Sequence, residues 1–282
     1  MTQPLRRCPV CGTDNTSQPP DRYSRPPWTL KRCACGMVYL ENPLPYAALA
    51  GEMAWEKTYA AESATRSSRN SILYAAARAP KALWQRLIRR NKLISWVRQY
   101  LPPGAVLDVG CAGGHTLDRL PSRFIPYGIE ISTELSRLAN DRFAARGGRV
   151  IQADALSGLL QFDAGFFTGV IMSSFLEHET EPRAVLQAAG RVMRPDARLI
   201  IKVPNFASWN RVVRGRRWCG FRFPDHVNYF TPQRLAALVG GCGFGVWRGN
   251  IFEHFPTSDS MWLLASPQRL TAHRTSSSST LL

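Results

Sequence analysis

Long apolar runs are missing from this 282-residue chain. No stretch approaches the roughly 20 apolar residues that a membrane-spanning helix needs. The opening residues, MTQPLRRCPVCG, also lack the apolar core of a secretory signal, so a cytoplasmic location is expected. Acidic residues are few: 20 Asp and Glu stand against 36 Lys and Arg, a formal net charge of +16. That balance favours phosphate-rich partners such as nucleic acid, nucleotide-activated sugars, lipid phosphates or an anionic membrane surface, and equally describes a well-solvated basic surface. The seven cysteines are too scattered for a disulfide framework. Two close pairs and three isolated members (Cys111, Cys219, Cys242) suit a reducing compartment with one metal site. With 45% hydrophobic residues the chain can bury one sizeable core and a small accessory module.

What is present centres on Ala105 to Leu120, AVLDVGCAGGHTLDRL. The apolar run Ala105, Val106, Leu107, Val109 predicts a buried strand, followed by a glycine-rich loop and a helix start where backbone N–H groups converge. Glycines Gly110 and Gly114 let that loop approach a ligand closely. Asp108 at the strand end can accept hydrogen bonds from the turn or face a bound cation. Tyr127-Gly-Ile-Glu130 ends a second strand and places a carboxylate about 20 residues past the loop, where nucleotide-binding α/β folds hold a ribose diol.

Residues 1–43 carry Cys8-Pro-Val-Cys11-Gly and Cys33-Ala-Cys35-Gly, each pair followed by glycine in the manner of a zinc knuckle. A segment with so little apolar content needs such a staple. The second pair has one intervening residue instead of two, which leaves open a distorted site, a substituted ligand or a metal-free surface loop. Residues 44–103 read as a basic helical cover. Leu83, Leu87, Ile94 and Val97 lie at helical spacing among arginines, and Pro102-Pro103-Gly104 ends the helix.

Beyond Glu130, Ser132 is the expected N-cap of a helix bearing Leu135, Leu138, Ala139 and Phe143. Val150-Ile151 predicts a short third strand ending at Ala153-Asp154. Strand four is expected over Thr168 to Met172, with Glu177-His178-Glu179 in the loop that follows. An unperturbed imidazole has a pKa near neutrality, which makes His178 the first candidate general base, although a structural histidine bound to the loop backbone fits as well. A helix from Pro182 to Arg194 and a fifth strand, Arg198 to Val203, precede an aromatic, arginine-rich stretch from Phe206 to Pro232. That stretch reads as a substrate lid and offers Asp225, His226 and Asn228, with His226 the second candidate base. A helix from Thr231 to Gly240, two final strands near Phe244 to Trp247 and Met261 to Ala265, and a Ser/Thr-rich tail over 266–282 complete the chain.

The turn Asp108-x-Gly110-x-x-x-Gly114, Glu130, LEHE after strand four, RVMRP, KVPN and PDHVNYFTP together resemble the class I S-adenosylmethionine (SAM) dependent methyltransferases. The likeness lies with the branch that includes ubiquinone-type and sugar-modifying enzymes, often preceded by a zinc-knuckle segment. Thr168 and Ala112 stand where many relatives carry aspartate and glycine. The resemblance implies an α/β, Rossmann-like fold over 104–265, with a seven-stranded, mostly parallel sheet and a small zinc-ribbon-like module at the N-terminus. It implies SAM held by Asp108, Gly110 and Gly114 at its methionine end, by Glu130 at the ribose, and by Asp154 with Ala155 at the adenine. It implies zinc on Cys8, Cys11, Cys33 and Cys35. The expected reaction is methyl transfer to an oxygen or carbon of a small molecule, sugar or glycan precursor, phosphate-bearing acceptors included. RNA methylation, using the zinc module and basic helices as a grip, is the alternative. Neither an Asn-Pro-Pro-Tyr motif nor a Pro-Cys nucleophile follows strand four, which weighs against nucleobases. Peripheral contact with a membrane surface is compatible with the charge.

Overall fold

The computed structural model describes residues 5–44, 92–247 and 258–268. The basic helical expectation for 45–91 and the tail over 269–282 lie outside the described residues.

The predicted strand forms as β3 (Gly104–Val109), and its alternation decides how the sheet is covered. Val106 faces a cluster with Leu93, Trp96 and Val97 of α1 (Lys92–Tyr100), while Leu107 and Val109 face the opposite core. Both faces of the strand are therefore buried, as expected for a parallel sheet with helices on each side. Around it run β4 (Phe124–Glu130), β5 (Arg149–Gln152), β6 (Phe167–Ser173), β7 (Met193–Pro204), β9 (Phe244–Trp247) and β10 (Ser260–Pro267). The seven strands lie in the order β5-β4-β3-β6-β7-β10-β9, with β10 antiparallel to both its neighbours and the other pairs parallel. The order reverses at β3, and the crevice at the carboxyl ends of β3 and β6 is the ligand position in open α/β sheets.

Ser132 caps α2 (Thr133–Ala144), as expected, by accepting from the Leu135 amide at 3.3 Å. Helix α3 (Ala155–Leu160) is an addition; its N-cap is Asp154. Helix α4 (Pro182–Val192) gives way directly to β7 at Met193, earlier than the expected strand start at Arg198, because Phe167 of β6 already pairs with Met193. Helix α6 (Pro232–Gly240) is capped by Thr231.

The larger departure concerns the expected lid. It contains a short helix, α5 (Trp209–Arg214), and ends in β8 (Asn228–Tyr229), which pairs with β2 (Val38–Leu40) beside β1 (Leu30–Arg32). Its aromatic residues Trp218 and Tyr229 pack with Tyr23, Leu30, Val38, Leu40 and Phe206 in a core of their own. They are core residues instead of a ring-stacking surface, because the cysteine-bearing segment supplies the apolar partners that the stretch lacks alone. On α5, Trp209, Val212 and Val213 remain exposed. No helix among the described residues is long and apolar enough to cross a membrane.

Candidate active site and cysteine centre

The loop after β3 turns on Gly110 and Gly114, both at φ 75°, with Ala112 also left-handed at φ 46°. A Cβ on Gly110 would lie 2.9 Å from the Phe175 ring, and one on Gly114 would meet Ala139 at 3.1 Å, so both positions need glycine for space as well as backbone angle. Glu130 at the end of β4 organises this turn. Its Oε2 accepts from the Ala112 amide at 2.8 Å and its Oε1 from the Ser132 amide at 3.0 Å. Asp108 is buried behind it, and burial followed by the field of Glu130 holds its carboxyl well above the usual range. Two acids so placed suit a ligand that brings positive charge and hydroxyl donors. The Ala153 amide donates to the Glu130 carbonyl at 3.2 Å, which sets the next loop alongside. There Asp154 accepts from the Ser157 amide at 2.9 Å; burial works against its ionisation, yet these N–H bonds hold its carboxyl below the usual value. Ala155 is buried in the main core and offers the site only its backbone, while Leu156 is exposed.

The two candidate bases meet. His178, in the loop after β6, and His226, two residues ahead of β8, lie edge to face with ring centroids 4.7 Å apart. The Asp225 carbonyl lies 3.0 Å from Nδ1 of His178, and the Gly220 carbonyl 2.8 Å from Nδ1 of His226. These acceptors assign each ring's N–H to Nδ1 and leave the basic lone pair on Nε2. Burial, then the Arg222 guanidinium, draws His178 down to about 4, against the carbonyl's opposite pull. The ring is therefore neutral at physiological pH. Glu177 is buried beside the pair, pushed up to about 8 chiefly by burial, and its Oε2 has no hydrogen-bond partner among the described residues. Donor atoms of Glu177, His178 and His226 lie within 4.8 Å of one another. They could in principle hold a cation, but the adjacent guanidinium, itself 3.6 Å from the Asp225 carboxylate, opposes one, and the cluster suits proton handling better. Ser174, at φ 58°, and Lys202, whose ammonium reaches the Ser174 hydroxyl at 3.4 Å, border the loop at the ends of β6 and β7.

All four knuckle cysteines also converge. Sγ of Cys8 lies 3.6 Å from that of Cys35, Sγ of Cys11 lies 3.4 Å from that of Cys33, and all four lie within 4.8 Å. These spacings are far beyond a disulfide bond and near the edge of about 3.8 Å that a tetrahedron of Zn–S bonds demands. Gly36 at φ 91° makes the turn that brings the closely spaced second pair into place. Burial pushes the Cys8 thiol up. Cys11, on which burial also acts upward, is nevertheless drawn down to about 6 by hydrogen bonds from Thr13 and neighbouring thiols.

Several site-shaping residues escape a reading of sequence alone. Arg222, which the sequence offers only as one of the insertion's arginines suited to a phosphate, sets the charge beside the histidines. Asp259 gathers hydrogen bonds from Ser208, Asn210 and Trp218 and so fixes the start of the insertion. Arg183 and Arg234 reach back from α4 and α6 to the carbonyls of Val10 and Cys35. Each is one arginine or aspartate among many, and only the spacing of Asp259 before a strand could have drawn attention to it.

Residues 83–248 match a family described as a methyltransferase domain. A ubiquinone biosynthesis O-methyltransferase of Xanthomonas axonopodis pv. citri is 28% identical over 153 residues, covering 50% of this chain and 63% of that protein. Its namesake in Burkholderia pseudomallei is 25% identical over 160 residues, covering 53% of this chain and 69% of the other. The chain thus spans somewhat under two thirds of the length of the Xanthomonas relative. Among solved structures, an S-adenosylmethionine-dependent methyltransferase of Clostridium acetobutylicum superposes with a TM-score of 0.50 at 10% identity, over 69% of this chain and 100% of that one, which speaks to the fold. The seven-stranded sheet with its one reversed strand, the glycine turn answered by Glu130, and a family match across more than half of the sequence lead to one assignment: this chain belongs to the methyltransferase domain family.

Proposed function

We propose that the chain methylates an oxygen, or an acidic carbon, of a small molecule, sugar or glycan precursor, with the His178–His226 pair receiving the acceptor's proton. SAM, when bound, supplies a methyl group made electrophilic by the sulfonium. Asp108 and the Gly110–Gly114 turn would hold its methionine end, Glu130 the ribose hydroxyls and Asp154 the adenine edge. The chain's own work is to hold the acceptor in line, exclude water and accept a proton. One observation carries the reading: two imidazoles 4.7 Å apart, both assigned a lone pair on Nε2, at the crevice end of the strand that adjoins β3. With His226 buried and His178 half-buried, the pair favours an acceptor group that is slim and projecting, as a hydroxyl is. Lys202 at the rim offers a charge to an anionic acceptor.

Zinc on Cys8, Cys11, Cys33 and Cys35 belongs to the same proposal, supported by the four-thiol spacing. Its part is to hold the module that completes the β1-β2-β8 sheet.

A second reading, RNA methylation, draws support from the exposed Arg214, Arg216 and Arg217 beside α5. The two separate cleanly. Tritiated methyl from SAM should appear in low-molecular-weight or glycan fractions of a cell extract, and fall about 100-fold or more with His178→Gln. Label entering RNA, with binding that weakens steeply as salt rises, would replace the first reading by the second.

A further inference from the structure

Arg6 comes from the cysteine module, yet its guanidinium ends between the two segments that carry the histidines. Nη2 donates to the Thr180 carbonyl at 2.7 Å and to Oδ1 of Asn228 at 3.1 Å. Nη1 donates to the carbonyls of Leu40 at 3.2 Å and Val227 at 3.3 Å. Thr180 stands two residues after His178, and Val227 and Asn228 immediately follow His226. The same two segments bind each other: the Val227 and Asn228 amides donate to the Glu177 carbonyl at 2.7 and 3.1 Å. The Asn228 side chain donates to the Leu176 and Glu179 carbonyls at 2.8 and 2.6 Å.

We propose that Arg6 is a positioning residue for methyl transfer, fixing the distance between His178 and His226, so that the cysteine module is a working part of the acceptor site. The proposal rests on the reading that these histidines handle the proton. The fork geometry explains the residue type. One end of a planar guanidinium serves the loop after β6, the other serves β2 and the residue before β8, and a lysine ammonium cannot span both. A guanidinium keeps its charge at neutral pH, so all of its N–H groups remain donors to these carbonyls. Arg6 touches neither the Gly110–Gly114 turn nor Glu130. Its loss should therefore disturb the histidines and spare the cofactor.

The test compares Arg6→Lys, Arg6→Gln and Arg234→Gln in the whole 282-residue chain, purified with zinc in the buffer. Arg234 tethers the module at Cys35 without reaching the histidine segments and serves as control. SAM affinity is measured by calorimetry, and the imidazole resonances of His178 and His226 by NMR across pH. Expected are SAM dissociation constants within twofold of wild type for all three. Both histidine signals should shift in Arg6→Gln, with the His178 midpoint rising by one unit or more as water enters. Arg6→Lys should lie between, and Arg234→Gln should match wild type. Wild-type histidine titrations in both Arg6 variants would overturn the proposal. So would an equal change in Arg234→Gln, which would make module docking, and not the fork, the cause. Should Arg6→Gln fail to fold, Arg6→Lys alone decides: a changed His178 midpoint supports the proposal and an unchanged one sinks it. If His178→Gln and His226→Gln leave transfer intact, the proton-handling reading fails, while the NMR result still reports on positioning.

Discussion

The Ala112 amide and the Glu130 carboxylate are joined by a 2.8 Å hydrogen bond that ties the loop after β3 to the end of β4. The acid expected to hold the ribose is thus also a structural part of the glycine turn. Glu130→Gln keeps one carbonyl acceptor for the turn but loses the charge, whereas Glu130→Ala loses both. SAM affinity should fall about tenfold in the first and a hundredfold or more in the second, with a drop in stability of about 1–3 kcal/mol in the second and a smaller one in the first, where one of the two amides loses its acceptor. Calorimetry and thermal unfolding check the two effects separately.

Ala112 itself is held at φ 46°, a conformation that costs an L-residue about 1–2 kcal/mol and glycine little. Glycine repays part of this through its greater freedom when unfolded. Ala112→Gly should therefore stabilise the chain modestly, by roughly 0.5 kcal/mol, and leave SAM binding in place. A loss of stability in denaturant titration would show that the Ala112 methyl packs more than its backbone suffers.

Much of the glycine turn and its tie to Glu130 was legible from sequence because it is local. Asp108, Gly110 and Gly114 fall within seven residues, and Glu130 ends an apolar strand, so spacing alone brings them together. The cysteines were legible by the same logic, and their convergence answers the short spacing of the second pair. The histidine pair was legible only as two names, since nothing near His178 in the sequence points to a partner 48 positions away. The β1-β2-β8 sheet was not legible at all: strands of two or three residues carry no alternation to read. Nor does a single arginine such as Arg6, one of 36 basic residues, announce what it binds.

Glu177 gives a pH signature. Its folded pKa, about 8, lies above the ordinary value of 4.5, so the folded chain binds more protons than the unfolded one between these limits. Its stabilising contribution is therefore full below pH 4.5 and is lost as pH rises through 8. His178, drawn down to about 4 from 6.5, acts oppositely: it stabilises above 6.5, and this is lost as pH falls toward 4. The two largely cancel between 4.5 and 6.5. From pH 6.5 to 8 Glu177 acts alone, and wild-type stability should fall relative to Glu177→Gln by up to roughly 2 kcal/mol. Urea unfolding of both proteins at four pH values would show it; parallel curves would contradict the burial of this carboxyl.

The cysteine centre predicts stoichiometry. Intact-protein mass spectrometry under gentle conditions should find one zinc per chain, absent in Cys33→Ser and in Cys35→Ser alike. If only the first loses metal, the second pair contributes a single ligand and the site takes its fourth elsewhere. Because β2 pairs with β8, metal removal should also raise amide exchange at Val38, Tyr39, Asn228 and Tyr229 while the strands of the large sheet keep their protection.

The insertion offers the last test, because its anchor is one side chain. Asp259 Oδ1 accepts from the Ser208 hydroxyl at 3.0 Å and the Trp218 indole at 2.8 Å, and its other oxygen serves Asn210. Burial raises the cost of its charge, but these donors outweigh it and hold the carboxyl below its usual value. Its contribution is therefore present above pH 3.8 and lost as pH falls through the depressed folded value. Asp259→Ala leaves the Trp218 N–H and the Ser208 hydroxyl without their acceptor, at a cost of about 1–3 kcal/mol concentrated in one segment. Arg211, Arg214, Arg216 and Arg217 lie within that segment, so trypsin should nick Asp259→Ala there at least tenfold faster than wild type. Cleavage at the wild-type rate would mean that the core around Trp218 and Phe206 holds the insertion without its carboxylate. In that case the contacts of Arg216 with the Arg22 carbonyl and of Arg211 with the Tyr23 hydroxyl would be the ones that keep it closed.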